Sequence, residues 1–150
     1  MTTKLSKEQT LCNMFIERWE LVAAKVADLA REYPEEKYET APVAGVRTFA
    51  EVLRHVAFWN QYVADTARGN KADDSANELP AAKYATKARI ITALTKSSDE
   101  AVAALREHDA DFDAERALLA QSFIEHICEH YGQLVAYARL SGVVPPASRT

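Results

Sequence analysis

Four stretches of this chain repeat their apolar residues at three- and four-residue spacing, separated by prolines, glycines and clustered acids, and that period admits little besides helices. Alternating branched residues bounded by tight Gly-Asn or Asp-Gly turns, the mark of strands, are missing. The chain reads as all-α. The first stretch runs from about Lys7 to Tyr33, with Leu11, Phe15, Val22, Val26 and Leu29 on one side, and Pro34 stops it. A loop through Glu35, Thr40, Pro42 and Gly45 follows. Thr48-Phe49-Ala50-Glu51 is a capping box, in which hydroxyl and carboxylate satisfy reciprocal backbone amides, and it opens a second helix ending near Gly69. The inward stripe there is Val52, His55, Trp59 and Tyr62; Phe49, Leu53, Val56 and Val63 extend the apolar surface round much of the girth. Such a helix sits at the centre of a bundle or in a dimer interface.

A polar stretch from Asn70 to Asn77, closed by Pro80, precedes a third helix from about Lys83 to Glu107, with Ile91, Leu94, Ala101 and Leu105 inward. Roughly fifteen connecting residues reach about 50 Å when extended, against about 30 Å for a bundle of such helices. A crossover is therefore allowed, and helices two and three need not be antiparallel neighbours. An acidic turn, Asp109 to Asp113, leads into the longest helix, about Ala114 to Leu140, which Ser141-Gly142 and Pro145-Pro146 end.

At 150 residues the chain amounts to one domain, large enough for a core without staples. Net charge is −4 and the signs interleave, so no cationic track is offered to a nucleic acid. Cys12 and Cys128 have no paired spacing and read as reduced thiols. No apolar run has signal-peptide or membrane-spanning character. The expectation is a cytoplasmic protein with neither a nucleic-acid nor a membrane partner.

Three histidines stand out against this background. His126 and His130 are one turn apart, on a face continued by Leu119, Phe123, Leu134 and Tyr137, and His55 lies on the inward stripe of the second helix. Unpaired buried polar groups cost a few kcal/mol each, so a converging trio needs a reason. Imidazoles at i and i+4 chelate one ion with little strain, and a divalent metal shared by all three is the economical reason. Three separately hydrogen-bonded histidines are the bland alternative. Cys128 lies about 200° round the helix from its histidine neighbours and should face away. His108, near a helix end, suits capping or surface duty.

His126-x-x-Glu129-His130 also spells an inverted zinc-protease motif, which needs a further acidic ligand downstream. The twenty residues after His130 hold no acid. The runs Asp73-Asp74 and Asp109, Asp111, Asp113 lack calcium-loop spacing and read as turn chemistry. Gly132, inside a helix, costs about 1 kcal/mol against alanine, which suggests close helix approach or room for a ligand beside His130. Trp59, Tyr62, Gln133 and Tyr137 are candidates for the pocket around the trio.

Two blocks carry a resemblance to a known family: Arg47-Thr48-Phe49-Ala50-Glu51-Val52-Leu53-Arg54-His55-Val56-Ala57, and HICEHYGQLVAYARLSGVVPPASR from His126 to Arg149. The chain resembles the DinB/YfiT-like superfamily of small metal-binding four-helix proteins. The resemblance implies a four-helix bundle in up-down-down-up order, with a long crossover between helices two and three, and frequent homodimers. Its three metal-binding histidines fall on His55, His126 and His130. Characterised relatives include transferases and isomerases that use glutathione, mycothiol or bacillithiol, while other members have no established activity.

The leading expectation is a metalloenzyme holding one divalent transition metal, zinc or nickel first, with a position open for water or a low-molecular-weight thiol that attacks a small electrophile among the aromatics. The alternatives are a non-catalytic metal-binding module and a helical interaction or stress-response module without metal.

Overall fold

The computed structural model describes residues 4–149. Four long helices dominate it: α1 Lys7–Glu32, α2 Phe49–Ala67, α3 Lys87–Arg106 and α4 Ala114–Leu140, with single 3-10 turns at Glu35–Lys37, Asp109–Asp111 and Pro146–Ser148. No strand occurs among the described residues.

Each long helix starts where a side chain can take up orphan amides. Ser6 with Gln9 and Thr48 with Glu51 form complete capping boxes, while Thr86 accepts from the Arg89 amide and Asp113 from that of Arg116. Such caps contribute about 1 kcal/mol apiece. They also explain why α3 begins later than the apolar period suggests. Pro80 opens a turn closed by the Tyr84 amide on its carbonyl, and Thr86 then caps the helix at Lys87. At the other end of the chain, the Asp109 to Asp113 run is turn and cap, with Asp113 as the N-cap of α4.

The buried apolar residues form one cluster to which all four helices contribute. On α1 the inward stripe is Cys12, Ile16, Trp19, Val22, Val26 and Leu29, one position on from the expected start; Leu11 is 37% exposed. Residue 12 continues the i, i+4, i+7 series to Ile16 and Trp19, which rotates Leu11 about 100° out of the stripe. In α3 Ile90 is buried alongside Leu94, Ala101 and Leu105, while Ile91 lies on the flank. The wide apolar girth of α2 is consumed within the chain, since α2 packs against both α3 and α4. The helix thus occupies the central position that its girth suggested.

Several contacts fix how the helix ends meet. Arg68, at the end of α2, pairs with Glu100 and Glu107 at 3.1 and 2.7 Å near the end of α3. Gln9 at the start of α1 reaches Asp109 just before α4, while Tyr33 and Ser141, at the ends of those two helices, share a 2.9 Å hydrogen bond. No helix among the described residues is long and apolar enough to cross a membrane.

Of the two readings of Gly132, close helix approach does not hold. A Cβ built there meets nothing within 4 Å, so no helix approaches closely. The residue is exposed in mid-helix with no left-handed backbone to preserve. Gly132→Ala should therefore stabilise the fold by about 0.5–1 kcal/mol through the unfolded chain's lost entropy. Thermal melting should rise by roughly 2–3 °C for a chain of this size; a fall would show that the space is needed.

Candidate metal centre

The seam between α2 and α4 holds the three histidines. Residues Ala120, Ile127 and Leu134 of α4 face the core at heptad spacing, and the imidazoles flank that line. His126 precedes Ile127 by one residue, about 100° round the helix, and His130 follows it by three, about 60° to the same side. Both are half-buried, not deep in the core as the apolar stripe suggested; His55, from α2, is 6% exposed. This placement brings the rings together at the edge of the core, with solvent access on one side.

The rings converge closely. Centroids of His55, His126 and His130 lie 4.9, 4.7 and 4.5 Å apart in pairs, and one ring nitrogen from each falls within 4.8 Å of the others. Nε2 of His55 and Nε2 of His126 are 2.9 Å apart. Nitrogens this close share either a proton or a cation. It is the only such cluster of histidine, cysteine or acidic side chains among the described residues.

Two of the rings are held from behind in one tautomer. His55 Nδ1 lies 2.6 Å from the backbone carbonyl of Asn77, which can only accept, so Nδ1 carries the proton and the Nε2 lone pair faces the seam. For His130 the direction is set by a longer chain. Tyr137 donates its hydroxyl to the carbonyl of Arg47 at 2.9 Å, Gln133 Nε2 donates to Tyr137 Oη at 2.8 Å, and Gln133 Oε1 is left to accept from His130 Nδ1 at 2.9 Å. His130 Nε2 is thus also a lone pair. Outer partners of this kind orient metal-ligating histidines and raise their basicity. His126 lacks one: its Nδ1 is buried without a partner among the described residues.

Burial, above all, pushes His55 down to about 4 and His126 down to about 3 from the usual 6.5, and the charges of His130 and Arg47 act in the same direction. Both rings are neutral at pH 7, as ligation requires. In the unfolded chain they take up protons near 6.5, so between that value and about 4 the unfolded state binds more protons and stability falls with falling pH. Metal-free protein should lose on the order of 2 kcal/mol between pH 7 and pH 5, discounting for the half-exposed His126. Urea unfolding at the two pH values checks this; equal midpoints would contradict it.

Aromatic side chains wall the approach. Trp59 lies 5.9 Å from Phe123 in a stacked pair and 5.1 Å from Tyr62, edge-on, while Phe123 is 5.9 Å from His126. From these rings an open groove of about 470 Å³ runs between α2 and α4 past Leu119 to Arg116. Trp59 is accordingly beside the trio, Tyr62 lies one ring further out against Trp59 and Phe123, and Gln133 and Tyr137 are behind the trio.

Asn77 was not among the sequence candidates, yet it serves the site twice. Its carbonyl holds His55, and its side-chain oxygen accepts from Trp59 Nε1 at 3.0 Å. Its φ of 61° is the one left-handed backbone at a non-glycine position among the described residues, a conformation asparagine tolerates. A single asparagine in a polar connector carries no sequence signal for this role.

The remaining candidates sit as expected. Cys128 is exposed and Cys12 buried, both unpaired. Glu129 is exposed on the opposite side from the core. His108 follows the end of α3, 3.6 Å from Asp111.

Gln133 offers a direct check on the relay. Gln133→Leu removes the acceptor on His130 Nδ1 and the donor to Tyr137, and should weaken metal binding by roughly 10–100-fold without unfolding the chain. Competition against a chelator of known affinity reads this out; unchanged affinity would make the relay irrelevant to the ring.

A helical protein with three imidazoles on one seam, able to hold a metal ion, is the class that fold and site define. Residues 18–134 match the family described as the DinB superfamily, and the chain belongs to it. No curated protein matches the chain.

Proposed function

We propose that this DinB-superfamily protein is a divalent-metal-dependent enzyme that activates a low-molecular-weight thiol towards a small electrophile. The observation that carries this reading is the convergence of three imidazoles beside an aromatic groove, with no fourth histidine, cysteine or acid in the cluster among the described residues. Three protein ligands and an open position are the pattern of catalytic sites, whereas structural zinc sites are closed by four. His55, His126 and His130 would hold the ion, and nitrogen donors of this kind suit zinc or nickel. When bound, the ion lowers the pKa of a thiol or water at the open position.

The chain's own residues bind and orient. Asn77 and the Gln133–Tyr137 pair keep two lone pairs aimed at one point. Trp59, Tyr62 and Phe123 offer flat apolar surface to an organic substrate and exclude water from one side. Glutathione, mycothiol and bacillithiol are the thiol classes to try.

We read the helices as an up-down-down-up bundle with a crossover between α2 and α3. Support comes from the helix ends: Arg68 against Glu107 sets α2 alongside α3, Tyr33 against Ser141 sets α1 alongside α4, and Tyr137 against Arg47 sets α4 opposite to α2.

The test is an S-transfer assay with the three thiols and a generic electrophile, on metal-loaded untagged protein, chelator-stripped protein and His130→Ala. Turnover with one thiol class that vanishes in both controls is expected. Turnover surviving both would remove the proposal. Bound metal without turnover across the panel would favour the non-catalytic metal module.

A further inference from the structure

We propose that the chain carries a second small-molecule site, independent of the histidine seam, which takes a small uncharged molecule pairing an aliphatic body with one adjacent donor and acceptor, as in a primary amide. A cavity of about 280 Å³ opens between α1 and α3 and reaches the back of α2 and α4. Its walls are aliphatic: Ala23, Ala27, Val56, Leu94, Val102 and Ile127. Alanines on α1, where larger side chains would fill the gap, leave the space.

The floor is polar and nearly sealed. Asn60 is 2% exposed and Ser98 8%, and both line the cavity. Asn60 donates through Nδ2 to Ser97 at 3.3 Å, and its carbonyl oxygen has no partner among the described residues. Ser98 accepts from Trp19 Nε1 at 3.0 Å, while the Leu94 carbonyl one turn back receives Ser97 instead, so the Ser98 hydroxyl proton is left to donate. One acceptor and one donor thus stand among aliphatic walls, and the remaining hydroxyl of the lining, Thr95, is spent on the carbonyls of Ile91 and Thr92. The Asn60 oxygen is not among the fully buried atoms that lack a partner, so it is open to the cavity and free to accept from whatever enters it. Apolar walls with a few placed polar groups are how ligand sites are built, and the volume sits at the small end of their range.

The rim selects charge. Glu20, Asp28 and Asp99 surround the mouth against the single cation Arg31, which Asp28 already pairs at 2.9 Å. Carboxylates are therefore disfavoured.

The two tryptophans, Trp19 and Trp59, supply the readout, because Trp19 touches this floor and Trp59 the histidine seam. In ¹H–¹⁵N spectra of the full chain, assigned with Trp59→Phe, isobutyramide and benzamide are titrated, with isobutyrate and benzoate as controls. A saturable shift of the Trp19 indole signal by the amides, with Trp59 unmoved, is expected. Asn60→Leu should weaken it about tenfold, and Ala27→Leu, which fills the space, should abolish it, each in a protein whose melting confirms folding. No saturable shift at Trp19 up to the solubility limit, leaving a water pocket, would overturn the proposal. Equal response to the carboxylates, or binding unaffected by both variants, would do the same. The histidine reading can fail without touching this result, since stripped protein serves equally well.

Discussion

Untagged protein in free zinc or nickel held near a thousand times its dissociation constant should melt about 10 °C above the chelator-stripped protein, and His126→Ala should erase that difference. A ligand at a thousand times its dissociation constant stabilises the state it binds by about 4 kcal/mol, and each kcal/mol raises melting by about 2–4 °C for a chain of this length. His126 is the informative position. Its Nε2 is 2.9 Å from that of His55, and its own Nδ1 is buried without a partner. Removing the ring takes away an atom that burial penalises, so stripped variant and stripped parent should melt close together. The loss then belongs to the ion. A variant that melts far below stripped parent would instead make His126 a packing residue, and retained metal-dependent stabilisation would deny it a ligand's role.

The largest loss of stability is expected at the opposite side of the molecule. Trp19 is fully buried, and its indole N–H is held by Ser98. Trp19→Ala deletes that bond and leaves a cavity the helices cannot close, at a cost of about 3–5 kcal/mol. That is a third or more of the whole stability of many domains. Trp19→Phe, which keeps most of the volume, should lose substantially less. Urea unfolding of both variants measures this; a cost under about 1 kcal/mol for Trp19→Ala would mean that the α1–α3 contact is not the firm part of the core.

Much of this architecture is legible in the residues themselves because local rules and the fold agree. Thr48 with Glu51 announces the start of α2, Pro34 and Gly142 mark the ends of α1 and α4, and the His126–His130 spacing gives a shared face. What period does not reveal is which edge of a wide apolar stripe faces the centre. Hence Leu11 lies outside the core, and the histidines of α4 flank it while Ile127 occupies it. The outer partners of the site are harder still. Asn77 and Arg47 act through backbone carbonyls, which every residue possesses, and only the folded path of the connector brings them to His55 and Tyr137. Gln133 was visible because it shares the helix face of His130; Asn77, 22 positions from His55, was not. The 280 Å³ cavity escaped for the same reason, since its wall comes from four separate helices.

One cation shared by His55, His126 and His130 underlies the proposed chemistry. Elemental analysis joined to X-ray absorption on protein purified without a histidine tag tests it most directly. About one divalent ion per chain is predicted, with three imidazoles and at least one ligand from outside the protein, falling to near zero in His55→Ala. Substoichiometric metal that His55→Ala leaves unchanged would contradict it.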